Sequence, residues 1–134
     1  MKIFLCAVDT RLARAWRQAL PQEFGPAVVQ VVEGDIFSLP VDAVVSPANS
    51  FGFMDGGLDA LYTRFFGPQL QERLQRMIRA QADGELLVGQ ALLVETGHAR
   101  IPWCISAPTM RVPRRLESAE AAMPGPAAPR CAVL

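Results

Sequence analysis

The feature that most constrains the fold is a strand feeding a helix through a loop of small residues. Ala43-Val44-Val45 is entered from Pro40-Val41-Asp42 and runs directly into Ser46 to Gly57, after which Leu58, Leu61, Tyr62 and Phe65 recur at helical spacing. Backbone amides at a helix amino terminus are unpaired and carry partial positive charge. The pair Gly56-Gly57 lets the main chain approach an anion with no side chain intervening. A glycine pair by itself also makes ordinary turns; its place at a strand-to-helix crossover, where open α/β sheets bind ligands, gives it weight.

The flanking pattern agrees. Lys2 to Val8 reads as a strand, Asp9-Thr10 as a helix cap, and Leu12, Trp16 and Leu20 as the apolar side of a helix with Arg11, Arg14 and Arg17 elsewhere. Pro21 and Phe24-Gly25-Pro26 end that helix, and Ala27 to Val32 is a second strand stopping at Glu33-Gly34-Asp35. Gly67-Pro68 separates two helices, the second striped by Leu70, Leu74, Met77 and Ile78, with Arg73, Arg76 and Arg79 on a solvated face, and stopping near Asp83-Gly84. Ala91 to Glu95 and Ile101 to Ala107 read as strands across the Thr96 to Arg100 turn, and their uninterrupted apolar runs suit central strands covered on both faces. The order predicts an α/β protein, a three-layer α/β/α sandwich with a mixed sheet.

Composition narrows the function. The 134 residues carry 13 Lys+Arg against 13 Asp+Glu, with no basic run longer than Arg114-Arg115, which argues against a dedicated nucleic-acid surface or a membrane partner held mainly by charge. A small polyanion in a local pocket stays open. No apolar run approaches the roughly 20 residues of a membrane span, and Ile3 to Val8 meets Asp9 where a leader would have a cleavage site, so the expected location is cytoplasmic. Cys6 and Cys104 sit in apolar runs and Cys131 in the tail, with no metal-ligand spacing; they read as reduced thiols, the first two in the core. The single histidine, His98, lies in a turn, and neither a metal nor a cofactor is expected. From Arg114 to Leu134 ten of 21 residues are Ala, Pro or Gly and none is aromatic, so residues 1–113 form the expected domain and 114–134 a disordered tail.

Three groups of residues together resemble the macrodomain, a module that binds ADP-ribose and in many members hydrolyses its derivatives. They are Gly34-Asp35-Ile36 at a strand end, Asp42-Ala43-Val44-Val45 continuing to Asn49, and Gly56-Gly57-Leu58-Asp59 opening a helix. The family's asparagine-alanine-alanine-asparagine strand end is followed at ten positions by an aspartate, as Asn49 is by Asp59; Gly89-Gln90-Ala91 and Ser106-Ala107-Pro108 extend the likeness over roughly residues 1–113. The resemblance implies that Asp35 accepts the adenine amino group, that the amide of Ile36 meets the purine, and that Asn49 meets the distal ribose. It implies that Gly56, Gly57 and Leu58 cradle the pyrophosphate, and that Asp59 positions or activates water. Asn49 and Asp59 are then the catalytic candidates, because a carboxylate one water from an anomeric carbon serves as a general base and an amide holds sugar hydroxyls.

Each residue also has a plain structural reading. Asp35 could cap the turn after its strand, Asp59 could complement the helix dipole, Asn49 could hold a left-handed turn, and Phe51 and Phe53 could be core residues instead of covers for a ribose or base. Ser46 and Pro47 stand where the family has asparagine and alanine, and Met54 and Asp55 where it has glycines, which implies a stiffer, more acidic loop. Asp55 near a pyrophosphate costs affinity unless it turns outward or pairs with an arginine. Family members also continue past the Pro108 strand with a second phosphate loop, so the fold is expected to be incomplete or degenerate at its carboxyl end. The expected function is binding of ADP-ribose or an ADP-ribosylated small molecule or protein, with hydrolysis of ADP-ribosyl or O-acetyl-ADP-ribose linkages. A non-catalytic reader and a fragment without ligand are the alternatives.

Overall fold

Alternation sets the first strand, β1 (Ile3–Ala7): Leu5 and Ala7 are buried, while Phe4 and Cys6 on its other face are only half-buried. Cys6 is therefore not the core thiol that its apolar run suggested; its Sγ donates to the Gly34 carbonyl at 3.4 Å. This computed structural model describes residues 1–21, 24–25 and 28–112. Pro26, Ala27 and the tail expected over 114–134 lie outside the described residues.

Asp9 caps α1 (Thr10–Ala19), accepting from the Arg11 amide at 2.7 Å. The buried line of this helix runs through Ala13, with Trp16 and Leu20 half-buried, whereas Leu12 is 36% exposed. The expected stripe of positions 12, 16 and 20 is thus corrected to 13, 16 and 20, because a period of 3.6 residues drifts off a strict four-residue repeat. β2 (Val29–Glu33) pairs in parallel with β1, Ile3 opposite Val29. Asp35 then caps a single 3₁₀ turn at residues 36–38, its Oδ1 accepting from the Phe37 amide at 2.9 Å. These elements make up one compact unit, Met1–Pro40.

The second unit starts at Val41 and holds β3 (Ala43–Ser46), α2 (Gly57–Phe66), α3 (Gln69–Gln81), β4 (Leu92–Glu95) and β5 (Trp103–Ser106). β5 is central, parallel to β3 and antiparallel to β4, so the sheet is mixed as expected. Val44, Cys104 and Val94 share one register row and are each at most 2% exposed. Tyr62 of α2 and Leu70, Leu74 and Ile78 of α3 complete this core.

Tyr62 is fully buried, and its hydroxyl donates to the Val45 carbonyl at 3.0 Å, so an amphipathic ring is sunk without orphaning its oxygen. At Gly67 (φ 98°) the chain adopts a conformation closed to other residues and α2 ends. β4 departs from its expected coverage on both faces: Val94 is buried while Leu93, which points to the opposite face, is 51% exposed, and the element packed against β4 is α3. Arg73 is likewise not part of a free solvated face, because its guanidinium donates to the Glu95 carbonyl at 2.9 Å; Arg76 and Arg79 are exposed.

Candidate functional site

Beyond β3 and β5 the parallel pairing continues. Ala107 N donates to Ser46 O and Thr109 N to Ala48 O, both at 3.0 Å, and Asn49 bridges to Met110. The loop after β3 therefore leaves the sheet as a guided extension of it. Asn49 then fixes the bend: its Oδ1 accepts from the amides of Phe51 (3.1 Å) and Phe53 (3.2 Å), and its Nδ2 donates to the Phe53 carbonyl at 2.7 Å. Its φ is not positive, so Asn49 works by side-chain bonding and not by a left-handed turn.

Two further residues immobilise the loop. Gly52 (φ 69°) lies so close to α3 that an added Cβ would sit 2.9 Å from Ile78 Cδ1 and 3.0 Å from Leu74 Cγ, a position only glycine fills. Met54, one of the residues standing where the family has glycine, is 1% exposed; its amide donates to Gln71 Oε1 at 2.6 Å and its carbonyl accepts from Thr63 Oγ1 at 2.7 Å. Met54 thereby ties the loop to both α2 and α3. Arg111 adds a clasp outside, making a two-point bond to Glu85 (2.7 and 3.1 Å) and placing its guanidinium 5.2 Å from the Phe51 ring centroid.

The loop delivers the chain to α2 with Gly56 as its cap, in an extended conformation, and among the described residues no side-chain cap bond is made there. In front of that terminus lies a cavity of about 320 Å³ lined by Pro47, Ala48, Asn49, Phe53, Met110 and the run Asp55 to Asp59. Asn49, Gly56, Gly57, Leu58 and Asp59 thus come together around one space; Asp35 and Ile36 belong to the first unit. Phe53 lines the cavity and is 49% exposed, whereas Phe51 faces Arg111.

Asp59 is the chemically distinctive group. It occupies the first turn of α2, is 7% exposed, and its Oδ1 accepts from the Ser46 hydroxyl at 2.5 Å. Burial raises its pKa above the ordinary carboxylate value, the Ser46 bond opposes that rise, and the charge of Asp55 adds to it. Asp55 is exposed, and among the described residues no basic side chain pairs with it. Ser46 escaped the sequence reading as a partner of Asp59; its only signal was that it replaced the family's asparagine. Met110 and Gln71 gave no signal. Among the described residues no group of three His, Cys, Asp or Glu side chains is placed to hold a metal.

This is an α/β unit whose sheet extension and helix amino terminus border a cavity beside one buried carboxylate. Comparison with known proteins gives the class its family: the Macro domain model matches residues 45–123, and the chain belongs to the macro domain family. A protein of Aquifex aeolicus is 33% identical over 92 residues, 69% of this chain and 52% of its own. The O-acetyl-ADP-ribose deacetylase of Escherichia fergusonii is 39% identical over 70 residues, 52% of this chain and 38% of its own. The Oceanobacillus iheyensis macrodomain solved with ADP superposes with a TM-score of 0.52 at 25% identity, over 56% of this chain and 40% of that one. The chain spans about half or less of the length of these relatives.

Proposed function

We propose that the cavity in front of α2 binds ADP-ribose or a derivative and that Asp59 acts there as a general base in hydrolysis of an ADP-ribosyl or O-acetyl ester linkage. The observation that carries this reading is the convergence of uncapped first-turn amides and a nearly buried carboxylate on one 320 Å³ cavity. Helix amides without a cap favour an anion, and a diphosphate supplies one. The deacetylase name borne by the Escherichia fergusonii relative supports the ester substrate.

Asn49 has three of its four hydrogen-bonding positions committed within the loop, which leaves one amide hydrogen for a ribose hydroxyl. Asp35 of the first unit keeps Oδ2 as an acceptor while its Oδ1 caps a turn. An exposed Asp55 at the cavity wall tells against tight binding of a polyanion, and its cost falls as salt rises.

Calorimetric titration with ADP-ribose tests the reading: saturable one-to-one binding is expected, and no heat at millimolar ligand overturns it. Gly56→Ala locates the anion. Gly56 has φ −131° and ψ 156°, which any residue adopts, and no atom lies within 4 Å of an added Cβ, so the fold accepts the methyl. Because Gly56 lines the cavity, that methyl stands where a phosphate would approach the amides, and affinity should fall about tenfold with an unchanged melting midpoint. Unchanged affinity would place the diphosphate elsewhere.

A further inference from the structure

We propose that Ser46 is the positioning residue of this site, its hydroxyl fixing the direction of the Asp59 carboxylate and holding it ready to accept a proton. The proposal rests on the reading of Asp59 as a general base. Ser46 is the last residue of β3, fully buried, and absent from the cavity lining, whereas Asp59 is in that lining. The order from solvent inward is therefore cavity, carboxylate, hydroxyl. A bond from behind leaves Asp59 Oδ2 for the cavity and removes one rotational freedom from the side chain at the place where direction matters.

Among the described residues this hydroxyl is the one side chain hydrogen-bonded to the carboxylate, and it favours the charged form alongside the first turn of α2. Asp55, on the loop ahead of α2, disfavours it. On β5, Cys104 is neutral, its thiol pushed up to about 12 by burial and then by the charge of Asp59. Tyr62 of α2 has its hydroxyl committed to Val45. Ser106, the register partner of Ser46 on β5, is fully buried, and its hydroxyl makes no hydrogen bond among the described residues. Ser46 and Ser106 are thus adjacent buried hydroxyls of equal size, and one of them is bonded to the carboxylate.

That pair supplies its own control. The Asp59 carboxyl is followed by carbon-detected NMR from acid to neutral pH in wild type, Ser46→Ala, Ser46→Cys and Ser106→Ala, alongside pH profiles for release of acetate from O-acetyl-ADP-ribose. Losing the donor takes support from the charged form, so the Asp59 midpoint should move up in Ser46→Ala and in Ser46→Cys, whose thiol keeps the bulk but donates weakly. At the acidic end of the profile turnover should fall further than at the alkaline end, since a raised midpoint leaves a smaller ionised fraction of Asp59 there. Ser106→Ala should leave both readouts as in wild type. An unmoved Asp59 midpoint in both Ser46 variants, or an equal shift in Ser106→Ala, overturns the proposal. If wild type releases no acetate, the hydrolytic reading fails, and the NMR midpoints still decide the role of Ser46.

Discussion

Met54→Ala should lower the unfolding free energy by about 2–5 kcal/mol, the range for truncating a large side chain in a packed interior. Met54 is 1% exposed although it belongs to a loop, and the main chain on either side of its Cα is clamped by Gln71 of α3 and Thr63 of α2. Truncation leaves a cavity that those two bonds prevent from collapsing, which places the expected loss away from the low end of the range. Urea denaturation with an unchanged slope measures it, and a loss below about 1 kcal/mol would show that the backbone clamp alone seats the loop. Amide exchange at Phe53 to Leu58 should also quicken, because the helix terminus then loses its upstream anchor.

The elements that were legible in the sequence owe their form to neighbours along the chain. The Asp9 cap, the break at Gly67 and the end of α3 near Asp83-Gly84 are decided by one residue's backbone freedom or one side chain's reach, and all stand where the sequence puts them. Which face is covered was less legible. Leu12 and Leu93 are as apolar as their neighbours, yet they point away from the helix and strand that bury Ala13 and Val94; a partner far along the chain makes that choice. Arg73 escaped for the same reason, since the carbonyl that binds it belongs to Glu95.

The site divides along a similar line. The ten positions from Asn49 to Asp59 and the glycine pair between them are local, and both ends reach one cavity. What the spacing did not carry is how each end is held: Asn49 spends its amide on its own loop, and Asp59 leans on a serine at the end of the preceding strand. Asp59 also combines two readings that sequence sets against each other. It sits in the first turn of α2, where an acid complements the helix dipole, and it faces the cavity, where an acid performs chemistry.

Asp59→Asn separates these roles and carries the largest expected effect on activity. The amide keeps the shape and can still accept from Ser46, but it cannot take a proton from water, so release of acetate or of ADP-ribose should fall about 100-fold or more while affinity for free ADP-ribose changes a few-fold. Affinity should rise if anything, because a negative charge leaves the cavity proposed to take the diphosphate. Stability should move the other way from activity. The folded-state pKa of Asp59 is raised by burial, so folding favours its protonated form; that stabilisation is complete below the unfolded-state pKa and is lost as pH rises through the folded-state value. Asp59→Asn has no such loss. Its melting midpoint should therefore match wild type in acid and exceed it at neutral pH, the gap opening across the same interval in which wild-type turnover appears. A gap that is constant with pH would mean that Asp59 is ionised at no cost in the fold, and turnover within tenfold of wild type would remove it from the chemistry.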